Sequence, residues 1–196
     1  MIVLVVEWNA TRGGHVQMSI LRFLSLAVIV GLSGPACSAG MAERQPLQTV
    51  NAVDLERYAG TWYEIARYPN RFQRDCAGDV TALYEVKPDG SVRVTNSCAE
   101  ADGSTKSARA SAKVVDRETN AKLKVTFFWP FSGDYWIINL GPNYEYAVVG
   151  EPGRDYLWIL SRTPQMDEAT YNVLLERIAR QGYDPSRLVK TAQSAR

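Results

Sequence analysis

The stretch from Ala121 to Gly150, AKLKVTFFWPFSGDYWIINLGPNYEYAVVG, decides the fold class. It consists of short runs rich in Val, Ile, Tyr, Trp and Thr, the residues that favour β-strands. Two clusters typical of turns, Ser132-Gly133-Asp134 and Gly141-Pro142-Asn143, separate these runs. The pattern predicts three consecutive strands, roughly over residues 121–129, 134–140 and 144–150.

The same pattern extends in both directions from this stretch. Further turn signals are Pro88-Asp89-Gly90, Ala101-Asp102-Gly103, Glu118-Thr119-Asn120 and Glu151-Pro152-Gly153. They predict five more strands, over residues 61–68, 79–87, 91–99, 104–116 and 154–162. Eight evenly spaced strands favour an all-β fold, an eight-stranded antiparallel up-and-down barrel, because closure removes unpaired edges. A two-sheet sandwich would need longer crossovers, and the only long gap, residues 69–78, separates the first two strands.

After the strands the spacing of apolar residues becomes helical. The repeating residues are Tyr171, Leu174, Leu175, Ile178 and Ala179. They predict one C-terminal α-helix from Asp167 to Gly182 that packs on the outside of the barrel. Leu188 and Val189 add a short extended tail.

The N-terminal region has the composition of a targeting segment. Arg22 is followed by an almost wholly apolar run of about ten residues and then by small residues, which is typical of a secretory signal; a membrane-spanning helix needs about twenty. We interpret residues 1–17 as an upstream mis-start with Met18 as the true start. Residues 18–39 are then the signal peptide, residues 40–52 a polar tether and residues 53–193 the folded domain.

Three cysteines are present, at positions 37, 76 and 98. Cys37 lies where the leader should be cut, and this arrangement resembles bacterial lipoproteins, in which such a cysteine is acylated. Those signals favour Leu three positions earlier, where this chain has Gly34. Ordinary cleavage after Ala39 is therefore the alternative, and it would leave a soluble periplasmic protein.

In either case, Cys76 and Cys98 remain as an even pair in an oxidising compartment, which favours a disulfide. Two buried free thiols are the alternative. The hairpin register through Asp89-Gly90 does not pair the two cysteines directly. The bridge therefore requires the loop before Asp79 to fold back.

The composition argues against several kinds of chemistry. The only histidine, His15, lies upstream of the probable mature chain, so imidazole is not available as a general base, zinc ligand or haem ligand. Acidic pairs such as Asp54 with Glu56 and Asp167 with Glu168 lie at helix starts, where capping is their ordinary role. We therefore expect no enzyme activity, no metal and no cofactor. Lys plus Arg total 22 against 21 for Asp plus Glu, so no basic excess suggests a nucleic-acid partner.

Aromatic residues are abundant, with 5 Trp, 10 Tyr and 5 Phe. Strand alternation predicts which residues face the barrel interior. If polar Asn139 faces water, Tyr135 and Ile137 are predicted to point outward with it. Trp136, Ile138 and Leu140 are then predicted to point inward. In the preceding strand, Lys122, Lys124 and Thr126 facing water place Leu123, Val125 and Phe127 inside. Such an interior is either a ligand cavity or a solid core, and periodicity does not separate the two.

Two segments carry a family resemblance. Gly60-Thr61-Trp62-Tyr63-Glu64-Ile65-Ala66-Arg67 resembles the GxW signature of lipocalins, preceded by a short helical turn over residues 54–58. Tyr156 to Pro164, YLWILSRTP, resembles the family motif whose arginine closes the barrel base. The resemblance covers Val50 to Gln193 and extends to bacterial outer-membrane lipocalins and apolipoprotein D. It implies that Gly60, Trp62 and Arg162 form the structural base, with Arg162 against the Trp62 indole.

The resemblance also implies a function. Its ligand-facing aromatic positions correspond here to Tyr84, Phe127, Trp136 and Trp158, and Trp158 shares a strand face with Arg162. We expect a calyx that binds, stores or transports a fatty acid or lysophospholipid for membrane maintenance in the cell envelope. The protein would be lipid-anchored to the outer membrane through Cys37 and face the periplasm, with a homodimer as a further arrangement. The alternatives are a lipid-modifying enzyme that uses a free cysteine or acidic residues, and a structural envelope lipoprotein with a filled barrel.

Overall fold

The computed structural model describes residues 45–194. The predicted leader, the Met18 start and Cys37 lie outside this range. The described residues form two α-helices, α1 (Leu55–Tyr58) and α2 (Glu168–Arg180), and nine strands. The strands are β1 (Gly60–Arg67), β2 (Cys76–Val86), β3 (Val92–Glu100), β4 (Thr105–Val114), β5 (Lys122–Phe128), β6 (Phe131–Leu140), β7 (Tyr146–Gly150), β8 (Leu157–Ser161) and β9 (Val189–Lys190). Short 3-10 helices occupy Arg71–Gln73 and Pro185–Arg187.

Eight of the strands close into an antiparallel barrel, which confirms the predicted fold. Consecutive strands β2 to β8 are neighbours, and β1 pairs with both β8 and β2. Alternate connections lie at the same end in such a barrel. We call the end covered by α1 the floor, and the end with the β1–β2, β3–β4, β5–β6 and β7–β8 connections the mouth.

One predicted turn is displaced in the structure. The chain reverses between β5 and β6 at Trp129 and Pro130, whereas the sequence pattern predicted a turn at Ser132-Gly133-Asp134. Those three residues belong to β6 instead. The polar cluster is a good turn signal, but Pro130 fixes the backbone earlier and supplies no N–H for a ladder.

The predicted helix α2 lies on the outer surface of the barrel. Its N-terminus is capped by Asp167, which accepts a hydrogen bond from the Thr170 backbone N–H at 2.8 Å. Asp54 caps α1 in the same way, so the predicted capping role of both aspartates is confirmed. The apolar stripe of α2 packs against outward-facing barrel residues in a second hydrophobic core, separate from the barrel interior. Members of this outer core include Tyr171, Leu174, Ile178, Ile65, Ile138, Val148 and Ile159.

Both ends of the described chain are held against the barrel. The described part of the predicted tether runs from the mouth, where the Arg154 guanidinium donates to the Gln45 carbonyl at 2.7 Å, toward the floor. Leu47 in this segment is buried. The C-terminal residues fill the seam where β1 and β2 separate, because the Gln193 amide donates to the backbone carbonyls of Glu64 and Val80, each at 2.9 Å.

Cys76 and Cys98 form the predicted disulfide, with their Cα atoms 5.6 Å apart. The expected fold-back of a loop before Asp79 is wrong, because Cys76 is already part of β2. Two register shifts in the β2–β3 pairing, one on each side of Gly78, draw Cys76 toward Cys98 instead. Over residues 45–194, no helix is both long enough and apolar enough to cross a bilayer.

Candidate functional site

The barrel interior is apolar and lined by residues of unequal size. Small side chains point inward from several strands, and aromatic side chains point inward near the two ends. The small residues are Ala82, Ala110, Ala112, Ala121 and Ala147, and the aromatic ones are Tyr58, Trp62, Tyr84, Phe127, Tyr135 and Trp158. An eight-stranded barrel is just wide enough to be filled by side chains or to hold one small ligand. The alanines are buried beneath their neighbours, whereas Val125, Phe127 and Trp158 toward the mouth are partly exposed.

The floor is closed by Trp62 and Arg162. The Trp62 indole is fully buried, and the guanidinium carbon of Arg162 lies 3.9 Å from its ring centroid. The contact expected between these two residues is therefore present. Gly60 has a φ of +95°, and a Cβ at this position would come within 3.4 Å of the guanidinium. This backbone conformation and the nearby guanidinium explain why a glycine lies two residues before the tryptophan.

Hydrogen bonds fix both side chains. The Trp62 indole N–H donates to the Tyr58 carbonyl at 2.8 Å. The Arg162 guanidinium donates to five backbone carbonyls that surround it, those of Arg57, Tyr58, Ala59, Thr61 and Tyr144. One cation thus satisfies the carbonyls at the end of α1 and at the start of β1. Each of the three side-chain nitrogens of Arg162 donates to at least one of these carbonyls, so the arrangement is a structural plug.

Three tyrosine hydroxyls meet just above this plug. The Tyr135 hydroxyl lies 2.7 Å from that of Tyr58 and 2.8 Å from that of Tyr84. Burial raises the pKa of Tyr84 to about 12 and raises the pKa values of Tyr58 and Tyr135 well above their usual range. All three phenols are therefore neutral hydrogen-bond donors at physiological pH.

The three phenols carry one hydrogen too many for the bonds they make. Each hydroxyl supplies one donor, but two hydrogen bonds use only two of the three hydrogens. Within residues 45–194, one of these three O–H groups therefore has no acceptor, whichever hydroxyl donates in each of the two hydrogen bonds. A cavity of about 10 Å³ adjoins Tyr58, Tyr84 and Tyr135, and this is room for about one water molecule. The floor of the barrel thus presents a donor to any acceptor oxygen that reaches it.

The mouth is partly covered by the loop between β1 and β2. Phe72 stacks on Tyr156 with ring centroids 5.7 Å apart, and Tyr156 stacks on Trp158 at 5.9 Å. The Trp158 indole N–H donates to the Gln73 side-chain oxygen at 3.0 Å. The 3-10 helix that carries Phe72 and Gln73 is thus tied to the aromatic side of the mouth.

A buried carboxylate lies beneath this loop. Glu64 is 3% exposed, and one of its oxygens accepts from the Arg67 guanidinium at 3.0 Å and from the Thr191 hydroxyl. Its other oxygen accepts from the Gln73 amide. Both oxygens are therefore engaged by donors of the protein, as buried charges require.

Three of the four predicted ligand-facing residues lie in the interior. Tyr84 is near the floor, while Phe127 and Trp158 are toward the mouth and remain partly exposed. The predicted inward position of Leu123, Val125 and Leu140 is also found.

Trp136 lies on the outside, so its predicted place in the calyx is wrong. It pairs with Lys122, whose ammonium nitrogen lies 4.6 Å from the Trp136 ring centroid, and it packs with the outer core. The cause is a register shift in the β6–β7 pairing between Ile137 and Asn139. Asn139 faces outward as assumed, but the bulge reverses the alternation before it. Ile137 is inside and Ile138 outside as a result.

Four residues of the site were missed by the sequence reasoning. Tyr135 was assigned outward by the same parity error that misplaced Trp136. Tyr58 lies in a short helical turn whose register against the barrel leaves no periodic signal. Glu64 and Gln73 meet only because a loop folds across the mouth. No group of metal-ligating side chains occurs in the described part of the chain.

Comparison with known proteins identifies relatives over nearly all of the described range. The sequence profile of the lipocalin-like domain matches residues 53–193. The chain is 43% identical to temperature-induced lipocalin-1 of Arabidopsis thaliana over 162 residues, which is 79% of this chain and 87% of that protein. It is 41% identical to the outer membrane lipoprotein Blc of Escherichia coli, covering 81% of this chain and 89% of the relative. Apolipoprotein D of Macaca fascicularis is 30% identical, with 89% and 96% covered.

Solved structures share the fold at lower identity. Insecticyanin from the tobacco hornworm Manduca sexta superposes with a TM-score of 0.63 at 20% identity, covering 76% of this chain and 86% of that protein. At this identity the likeness is evidence for the architecture alone.

Proposed function

Because this chain belongs to the lipocalin family, we propose that it binds one lipid with a single long acyl chain, a fatty acid or a lysophospholipid, inside its barrel. The observation that carries the proposal is the uneven interior. Most inward-facing residues near the floor are buried, whereas Val125, Phe127 and Trp158, which also face the interior, are partly exposed toward the mouth. A solid core would be expected to bury these inward-facing side chains as well.

The proposed ligand occupies the space between the Tyr58–Tyr135–Tyr84 cluster and the mouth. The cavity beside the tyrosines holds about 10 Å³, so an acyl chain fits only above it. Each buried methylene contributes about 0.8 kcal/mol, and a dozen of them would support micromolar or tighter binding after ordering costs. Such affinity needs few polar contacts, and selectivity among acyl chains would be loose.

Catalysis is the weaker alternative for this barrel. A thiol mechanism needs a thiolate, whereas Cys76 and Cys98 are joined to each other. An acid mechanism needs a carboxyl group that can exchange protons with the ligand. Glu64 is the buried carboxylate in the interior, and Arg67, Gln73 and Thr191 already occupy its oxygens. These contacts support a binding protein over a lipid-modifying enzyme.

We further propose a place for the protein in the cell envelope, in membrane maintenance. The support is the composition of residues 18–39 and the similarity to the outer membrane lipoprotein Blc. Acylation of Cys37 would anchor the protein to the outer membrane facing the periplasm, and cleavage after Ala39 would release it. Metabolic labelling with an alkyne fatty acid distinguishes the two, because label that persists in a Cys37→Ser variant contradicts the anchor.

Ligand binding is tested by tryptophan emission and by lipid titration. Added fatty acid or lysophospholipid should change the emission, and Trp158→Ala should weaken binding by about tenfold, which corresponds to about 1.4 kcal/mol. The matched control is Trp136→Ala, since this indole lies on the outer face, where it should leave affinity unchanged. Mass spectrometry of lipid that co-purifies from native membranes would identify the ligand.

Two results would contradict the proposal. One is a protein that carries no lipid and shows no saturable response to either class of lipid, which would favour the filled-barrel alternative. The other is an equal loss of affinity in Trp136→Ala and Trp158→Ala. That result would place the lipid outside the barrel.

A further inference from the structure

The hairpin between β5 and β6 ends in an unusual group of exposed aromatic side chains. Trp129 is 89% exposed, Phe128 49% and Phe131 45%. We call these three residues the aromatic tip. The other hairpin connections at the mouth contain Asp102 with Gly103 and Pro152 with Gly153, which are ordinary turn residues. Large aromatic side chains are not needed to form such a turn, so the tip requires another explanation.

By itself the tip is smaller than a stable protein interface. Taking about 200 Å² for an aromatic side chain, the three rings expose roughly 370 Å² together. A stable protein interface buries about 800 Å² on each partner. A narrow apolar projection fits a partner that it can enter, and the interfacial region of a bilayer is such a partner. Tryptophan is enriched there because its ring is apolar while its N–H meets the polar headgroups.

The position of the tip agrees with a membrane on that side. It extends from the mouth, the end at which the inward-facing Phe127 and Trp158 are partly exposed. The charged residues at the base of the hairpin, Lys124 and Asp134, pair with each other at 2.8 Å. This pair adds no net positive charge beside the tip, and the remaining lysine of the hairpin, Lys122, lies toward the floor over the Trp136 ring.

We propose that the aromatic tip inserts into the interfacial region of a lipid bilayer, so that the mouth of the barrel faces the membrane surface. Insertion is apolar in origin. Binding should therefore occur on phosphatidylcholine vesicles and change little with added phosphatidylglycerol or with salt. The proposal stands independently of any acyl anchor and of the identity of the ligand in the barrel.

Flotation of the exported full chain with phosphatidylcholine vesicles tests the proposal. Every variant carries Cys37→Ser, so that no acyl anchor contributes. Replacing Phe128 and Trp129 with serine should lower the partition coefficient by about tenfold or more. The matched control removes two apolar residues that are exposed elsewhere, Val115→Ser with Val173→Ser, and should float like the parent.

A second measurement uses the unchanged tip. Bilayers with lipids brominated near the headgroup should quench tryptophan emission, and Trp129→Phe should abolish most of this quenching. The tip residues are exposed, so near-UV circular dichroism should show that the serine variant remains folded. Flotation of that variant equal to the parent, or an absence of quenching, overturns the proposal. A parent that fails to float but changes from dimer to monomer on loss of the tip would assign the surface to self-association instead.

Discussion

The two ends of the barrel use the same residue type in opposite ways. At the floor, Trp62 is fully buried and its indole N–H donates to the Tyr58 carbonyl. At the mouth, Trp129 is 89% exposed, and Trp158 is tied to the covering loop by one hydrogen bond to Gln73. The contacts at the floor bury Trp62 completely, whereas at the mouth Phe127 and Trp158 remain partly exposed in spite of the Cys76–Cys98 disulfide and the loop contacts. From this difference we expect that Trp62 and Arg162 contribute chiefly to stability and that the proposed lipid enters at the mouth.

The largest expected effect is the loss of the floor plug. Trp62→Ala should lower the free energy of unfolding by about 3 to 5 kcal/mol, because it leaves a cavity where the buried indole was packed. Arg162→Ala should also be strongly destabilising, since five carbonyls lose the guanidinium as a donor, although that of Tyr58 keeps the Trp62 indole N–H. Urea unfolding measures both, and any protein that remains folded should bind lipid with the affinity of the parent.

Trp158→Ala is the control from the opposite end. The Trp158 side chain is only partly buried. The Trp158→Ala variant should therefore lose affinity for lipid while keeping most of its stability. If Trp62→Ala left the unfolding curve unchanged but abolished binding, the division between the two ends would be wrong.

The sequence predicts the floor better than the mouth, for physical reasons. Each residue of the floor plug meets a local requirement that only certain residue types satisfy. A positive φ favours glycine at position 60, and a cation over a buried indole requires Trp62 and Arg162. Trp136 was misplaced because a single bulge at Ile138 reverses side-chain direction, and alternation alone cannot reveal a bulge.

The mouth depends on contacts between distant segments. The turn predicted at residues 132–134 lies at Trp129 and Pro130, and this shift is what exposes the aromatic tip. The register of β2 illustrates the same point, since Cys76 reaches Cys98 through two irregularities in the ladder rather than through a loop. The bond was predictable from the count of cysteines, but its route was not.

Alkaline pH should weaken the floor selectively. Burial raises the pKa of Tyr84 from 10 to about 12. Between these two pH values the hydroxyl stays protonated in the folded protein but is ionised in the unfolded chain. The stabilising effect is complete below pH 10 and is lost as the pH rises toward 12. A shift of two units corresponds to about 3 kcal/mol. The difference in unfolding free energy between the parent and Tyr84→Phe isolates this contribution from other titrations.

The expected result is a crossing of the two stability curves. At pH 7 Tyr84→Phe should be less stable by about 1 kcal/mol, the contribution of one hydrogen bond. Near pH 12 it should be the more stable protein, since phenylalanine has no proton to lose. Parallel curves from pH 8 to 12 would mean that the Tyr84 hydroxyl is not buried as described.

The smallest expected effect distinguishes the centre of the tyrosine chain from its ends. Tyr135 bonds both neighbours, whereas Tyr58 and Tyr84 each bond Tyr135 alone. Tyr84→Phe removes one hydrogen bond and still leaves one surplus hydrogen. Tyr135→Phe removes both hydrogen bonds and leaves the buried hydroxyls of Tyr58 and Tyr84 without their partner. It should therefore cost about 1 kcal/mol more than Tyr84→Phe, and Tyr58→Phe should resemble Tyr84→Phe because it also ends the chain. Urea unfolding of the three variants at pH 7 measures the difference. Equal losses in all three would indicate that water at the floor replaces the missing partners, and the surplus donor would then not be available to a ligand.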